Sequence, residues 1–207
     1  TDLDSSLLDE DYSYSGAFEA LNYLSNQGYP LVLNSSKTYA ELRELTSDLS
    51  QCDAVIAENG GLVAVREAVS AIALEGDADS FGFVTHCSGM AREKILRIAH
   101  GLRQSDGYAF EGFADWSLGQ LIEHTGLDSV SAGLAMERET TEPILWNGSA
   151  REMAEFVDKL KRLGIQVLRG GRFHHLMGMV DKVQGMQLVV DLYKKAEPTT
   201  DWLVVAV

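Results

Sequence analysis

Apolar residues recur along the chain with two periods, and the alternation between them predicts the elements. Phe18, Leu21 and Leu24 fall at helical spacing between Ser15, a candidate N-cap, and Gly28, a candidate stop. The run YPLVLN that follows reads as a strand buried on both faces. Thr38 with Glu41 forms a capping-box pattern ahead of Leu42, Leu45 and Leu49, so a second helix comes at once. It leads into the strand DAVIA and the turn ENGG, Glu58 to Gly61. Helices alternating with short, continuous apolar strands are the pattern of an α/β layer with parallel strands.

From about Ala68 the texture changes. FGFVTHC, YAFEGF, PILW and IQVLRGG read as half-buried strands, separated by helical stretches over Ala91 to Leu102, Ser117 to His124 and Ala150 to Leu163. Ser149 with Glu152 is another capping box, and Gly164 ends that helix. RFHHLMG then reads as a strand, Val183 to Lys195 as a helix, and WLVVAV as a last apolar strand of the opening type. The expected fold class is α/β: a Rossmann-like parallel-sheet core over 1–66 and 179–207, with an α+β cap domain over 67–178 inserted into it. There is no internal repeat, low-complexity tract or proline-rich linker.

Composition narrows the function classes. At 207 residues, with 45% hydrophobic and 23% charged residues, the chain reads as an ordinary soluble globular protein. A formal net charge of -14 argues against nonspecific binding to nucleic acid or anionic membrane, both of which need positive potential. Cys52 and Cys87, without a C-x-x-C, give neither a disulfide framework nor a structural zinc site, which fits a reducing cytoplasm. No apolar run approaches the ~20 residues of a membrane span. No G-x-S-x-G elbow or G-x-x-x-x-G-K-[ST] loop occurs.

Candidate chemistry begins at TDLDSSLLD. In an extended segment Asp2 and Asp4 lie on one side, where like charges repel unless a cation or a reaction employs them. In an open α/β sheet ligands bind at the carboxyl ends of strands. Asp2 and Asp4, Ser35 after YPLVLN, and Lys182 at the head of a helix occupy such positions or their continuation. A carboxylate nucleophile, a hydroxyl and an ammonium are what phosphoryl transfer needs, because its transition state spreads negative charge over equatorial oxygens.

In their order, TDLDSSLLD, LVLNSSKT and VDK resemble motifs one, two and three of the haloacid dehalogenase superfamily of phosphatases. The resemblance implies that Asp2 is the nucleophile that forms an aspartyl phosphate and Asp4 the general acid and base. It further implies that Ser35 hydrogen-bonds the phosphoryl group, that Lys182 screens its charge, and that Mg²⁺ is held by Asp2 and Asp4. Few residues separate Asp2 from Ser35 and many separate Ser35 from Lys182, so the insertion belongs to the class with its cap after motif two.

Five stretches narrow the resemblance to the mannosyl-3-phosphoglycerate phosphatase family: NSSKT, AENGG, ERETTEPILW, GGRFHHLMG and DKVQGMQLVVDLY. It implies Mg²⁺-dependent removal of phosphate from a glycosylated 3-phosphoglycerate, a small sugar phosphate, to give mannosylglycerate, a compatible solute. The expected substrate contacts are Ser36 and Lys37 near the phosphate, Arg172 and His174 at the acid end, and Glu58, Asn59 and Glu142 on polar groups. His174 and His175 are neighbours in a strand and face apart, so His175 is expected to pack. The family usually has glycine and threonine where this chain has Ser5 and Ser6. Its acidic fourth motif is expected after WLVVAV and a strand is expected before D-x-D; neither is in the sequence, which reads as cropped, and the 207 residues by themselves are expected to have little activity. The alternatives are a phosphatase of another glycosyl phosphate and a non-catalytic sugar-phosphate-binding homologue. Oligomeric state is left open.

Overall fold

The computed structural model describes residues 1–207 except 4, 5, 10–12, 50, 71–73, 75 and 207. Its elements in chain order are α1 (Phe18–Asn26), β1 (Leu31–Asn34), α2 (Tyr39–Asp48), β2 (Cys52–Ala57), β3 (Leu62–Arg66), α3 (Glu67–Ser70), β4 (Phe83–Cys87), α4 (Arg92–Asp106), β5 (Phe110–Gly112), α5 (Leu118–Thr125), α6 (Ser129–Met136), β6 (Thr141–Trp146), α7 (Ala150–Arg162), β7 (Ile165–Gly170), β8 (Phe173–Gly178) and α8 (Lys182–Ala196). They form two compact units: Thr1–Ser88 with Asp181–Val207, and Gly89–Val180.

The first unit is built on a four-stranded sheet in the order β1-β2-β3-β4. Only β1 and β2 run parallel; β3 and β4 are added antiparallel. Thr1 extends the parallel part on the free side of β1. Its amino group donates to the Val32 carbonyl at 2.8 Å, and its carbonyl accepts from the Asn34 amide at 2.9 Å, the two bonds of a parallel bridge centred on Leu33. Strand alternation then decides the layers. Leu31, Leu33, Val55, Leu62 and Ala64 face one core with Leu3, Leu21 and Leu42, whereas Ala54, Ile56, Val63 and Val65 face α8 through Val189 and Leu192. Each large side chain buried in this way stabilises by about 1.5–3 kcal/mol.

Two expectations about this unit are corrected. The segment 67–88 belongs here rather than to the second unit, because β4 pairs with β3 from Leu62↔Cys87 to Arg66↔Phe83 and Phe83 is 1% exposed in the first core. The run WLVVAV forms no strand over its described residues; Trp202 packs on Tyr193 with centroids 5.0 Å apart, while Leu203 and Val205 are exposed. Local signals fared better, and the Thr38–Glu41 capping box is formed. Ser15, by contrast, caps nothing; it lies in a single 3₁₀ turn ahead of α1.

The second unit holds an antiparallel sheet in the order β5-β6-β8-β7. Ile144, Trp146 and Leu176 face α4 and α7 through Ile95, Phe156 and Leu160. Leu145 and Phe173, on the opposite side of the pleat, pack with Phe113, Trp116 and Leu121 of the α5 and α6 side. The Ser149–Glu152 capping box starts α7 as the sequence predicts.

Candidate active site

The two aspartates of the opening motif have different standing: Asp2 is described and Asp4 lies outside the described residues. Asp2 owes its position to its neighbours. Thr1 is held in the sheet plane, and Leu3 is fully buried in the core on the α1 and α2 side. Alternation therefore turns the Asp2 side chain to the other face, the one covered by α8. There its Oδ2 accepts a hydrogen bond from Lys182 Nζ at 2.7 Å, and its Oδ1 accepts from the Leu3 amide at 2.7 Å. The pair is partly exposed, 47% for the Asp2 side chain and 32% for Lys182. Solvent screening leaves such a pair worth about 0.2–1 kcal/mol.

Lys182 is the first residue of α8. Asp181 caps that helix by accepting from the Gln184 amide at 2.8 Å. Glycines let the helix start approach the turn after β2. A Cβ on Gly60 would stand 2.0 Å from the Asp181 carbonyl oxygen, and one on Gly185 would stand 2.6 Å from Ile56 Cγ2. The turn itself is unusual. Glu58 and Asn59 have φ of 50° and 58°, and Gly60 has φ of 96°, three successive residues at positive φ. Two of their amides tie down the loop after β1: Glu58 N donates to the Lys37 carbonyl at 2.9 Å and Asn59 N to the Ser35 carbonyl at 3.0 Å. One turn thus links the hydroxyl-bearing loop to the lysine-bearing helix.

Ser35 lies just past the end of β1 and is 1% exposed. Its Oγ accepts from the Lys37 amide at 3.2 Å, and its own amide donates to the Ile56 carbonyl at 2.9 Å. Ser36 and Lys37 follow in the same loop, with the Lys37 ammonium 3.7 Å from Glu41. Glu58 and Asn59 are both buried in the turn. The first unit therefore gathers Asp2, Ser35, Ser36, Lys37, Glu58, Asn59 and Lys182 at the carboxyl-end side of β1 and β2. Sequence reasoning assigned no role to Asn34, although its side-chain amide donates to the Lys182 carbonyl at 3.2 Å. It also read Gly60 only as a turn residue.

The remaining candidates lie in the second unit. Glu142, expected to meet the substrate, is 1% exposed and bound on both oxygens: Arg92 Nε and Nη2 reach Oε2 at 2.8 and 2.7 Å, and the Ala114 amide reaches Oε1 at 2.8 Å. Burial pushes its pKa up against the pull of Arg92. Both oxygens are thus engaged within that unit. Arg172 donates to the His124 carbonyl, and His124 stacks on Trp116 with centroids 4.2 Å apart. His174 is half-buried, its pKa lowered by burial and by Arg169.

Comparison with known proteins gives this geometry a family. The model of the haloacid dehalogenase-like hydrolases matches residues 1–77. A glucosyl-3-phosphoglycerate/mannosyl-3-phosphoglycerate phosphatase of Methanococcoides burtonii is 30% identical over 196 residues, covering 94% of this chain and 72% of that protein. The chain belongs to the mannosyl-3-phosphoglycerate phosphatase family of haloacid dehalogenase-like hydrolases. Its enzyme class is therefore phosphoric monoester hydrolase.

Solved haloacid dehalogenase structures agree on the fold. One from Bacteroides thetaiotaomicron has a TM-score of 0.62 at 16% identity, covering 92% of this chain and 74% of its own. A subclass IIB sugar phosphatase of the superfamily has a TM-score of 0.61 at 13% identity, with 92% and 73% covered. Mg²⁺, the metal implied by the family, prefers about six oxygen ligands in octahedral geometry. Among the described residues no group of three or more His, Cys, Asp or Glu could hold a metal ion, and Asp2 brings a single carboxylate already engaged by Lys182. The described residues therefore do not form an Mg²⁺ site by themselves. No described helix is long and apolar enough to cross a membrane.

Proposed function

We propose that this haloacid dehalogenase-like hydrolase removes phosphate from a glycosylated 3-phosphoglycerate, with mannosyl-3-phosphoglycerate as the substrate and mannosylglycerate, a compatible solute, as the product. The observation that carries the reading is the 2.7 Å contact between Asp2 Oδ2 and Lys182 Nζ, residues 180 positions apart, beside the loop of Ser35. A carboxylate held against an ammonium can approach a phosphate dianion whose charge it would otherwise repel. In the proposed reaction an Asp2 oxygen attacks phosphorus and the bond to the glyceryl oxygen breaks. Asp4 gives that oxygen its proton. Asp4 then takes a proton from water as the water oxygen attacks the phosphorus of the aspartyl phosphate, returning Asp2 as a carboxylate and releasing inorganic phosphate. Ser35 and Ser36 offer hydroxyl donors and Lys37 a cation to the phosphoryl oxygens.

Glucosyl-3-phosphoglycerate stands beside the mannosyl compound in the substrate panel, because the Methanococcoides burtonii relative carries both in its name. Mg²⁺ dependence and a cytoplasmic setting belong to the same proposal. The test is phosphate release from both compounds and from simple hexose phosphates, with Mg²⁺ and after EDTA. Turnover of a glycosyl-3-phosphoglycerate that EDTA abolishes is the expected result. Asp2→Asn is expected to lower kcat by at least about 1,000-fold while leaving the fold intact. Binding of substrate without phosphate release by the whole natural protein would replace this reading with that of a binding homologue.

A further inference from the structure

We propose that Asn34 is a positioning residue, whose side-chain amide sets the main chain of Lys182 so that the ammonium meets Asp2; this rests on the reading above, in which those two groups act on the phosphoryl group. The bridge between Thr1 and β1 is centred on Leu33, so Asp2 and Asn34 lie side by side on adjacent extended segments. Side chains at such positions point the same way, and that way is toward α8. Both then meet the same lysine at different atoms. Asp2 Oδ2 takes the ammonium at 2.7 Å, and Asn34 Nδ2 donates to the Lys182 carbonyl at 3.2 Å, across 148 positions of sequence. A lysine side chain has four rotatable bonds, so an ion pair alone does not fix where its helix begins. The amide anchors the root of the side chain while the carboxylate holds its tip.

The other half of the amide indicates that this anchor was not placed for stability. Asn34 Oδ1 is buried and has no partner among the described residues. An unpaired buried acceptor is destabilising, and a leucine of similar size would remove it. The start of α8 has other supports, in the Asp181 cap and the contact at Gly60. What Asn34 adds is a bond from the strand that leads into Ser35 to the main chain of the lysine itself. It thereby ties the hydroxyl loop and the ammonium to one rigid element.

The experiment compares Asn34→Leu and Asn34→Ala with wild type in the whole protein. A displacement of Lys182 by a fraction of an ångström is expected to lower kcat by about 10- to 100-fold with KM changed by less than about two-fold. The Tm of Asn34→Leu is expected to stay at or above that of wild type. In a Lys182→Ala background, Asn34→Leu is expected to lower kcat by less than about two-fold, since no ammonium remains to be placed. Wild-type kcat in both variants, a loss confined to KM, the same loss in the Lys182→Ala background, or a fall in Tm that tracks activity in both variants would each overturn the proposal. A wild-type protein that releases no phosphate would refute the functional reading instead. The ¹⁵N-labelled Lys182 ammonium signal then decides: its broadening in Asn34→Leu supports positioning, and an unchanged signal overturns it.

Discussion

His175 shows how a single buried side chain can make the stability of this protein depend on pH. It stands on β8, 9% exposed, with Nδ1 unpartnered among the described residues. Burial, then the charge of Arg138, then His174 bring its pKa from 6.5 down to about 4. The unfolded chain takes up a proton near pH 6.5 while the folded chain does not, so the contribution is fully present above that pH. It is lost as pH falls through about 4, where the folded form also protonates. Its full size is about 3 kcal/mol. Urea unfolding of wild type and His175→Gln at neutral pH and at about pH 4.5 checks this, with the wild type expected to lose more stability across the interval. Equal losses would show that other groups carry the pH dependence. Residue-scale contacts were readable where chemistry and order coincide, as for Asp2 and Lys182. They were not where a role depends on a distant partner. Glu142 was expected to touch substrate, and Arg92, its partly buried counter-ion 50 positions earlier, gives no local sign. Asn34, read only as the last residue of a strand, was given no role because its partner is a main-chain carbonyl.

The turn after β2 is the element on which the proposed site turns, and glycine is required there for two separate reasons. Gly60 has φ of 96°, and a Cβ at this position would meet the Asp181 carbonyl carbon at 2.5 Å as well as its oxygen. Backbone cannot swing aside as a side chain can. Gly60→Ala should therefore combine left-handed strain with overpacking and destabilise by about 2–5 kcal/mol. Gly28, after α1, provides the control: its φ is 70° and an added Cβ would meet nothing within 4 Å. Gly28→Ala should cost only about 1–2 kcal/mol, from strain alone. Thermal unfolding measures the difference, and equal costs would remove the contact with Asp181 from the account. At this scale the sequence was read well where the signal is local, as with the capping boxes at Thr38 and Ser149. It was read poorly where pairing decides. FGFVTHC looked like its successors but pairs with β3, and LVAVR, the strand that ENGG joins antiparallel to β2, was not read as a strand. α6 escaped notice because its composition, SVSAGLAM, has little amphipathic contrast.

For the whole molecule the excess of 31 acidic over 17 basic residues sets a balance between long-range repulsion and local pairs. Exposed i,i+4 pairs such as Arg151–Glu155 and Arg162–Asp158 contribute about 0.3–0.5 kcal/mol each and weaken with salt. The Arg92–Glu142 pair is buried and hardly screened. Against these, a net charge of -14 repels itself across the folded surface at every separation shorter than the screening length. That length contracts from about 30 Å at 0.01 M salt to about 8 Å at 0.15 M, which removes most of the repulsion while leaving contacts of a few ångströms largely in place. Added sodium chloride should therefore raise Tm over this range, the reverse of what a protein held together by surface ion pairs would show. The same series with Glu142→Gln separates the two contributions, since losing the buried pair lowers Tm at every salt concentration without altering its slope. A Tm that falls with salt in both proteins would mean that local attraction outweighs the net charge.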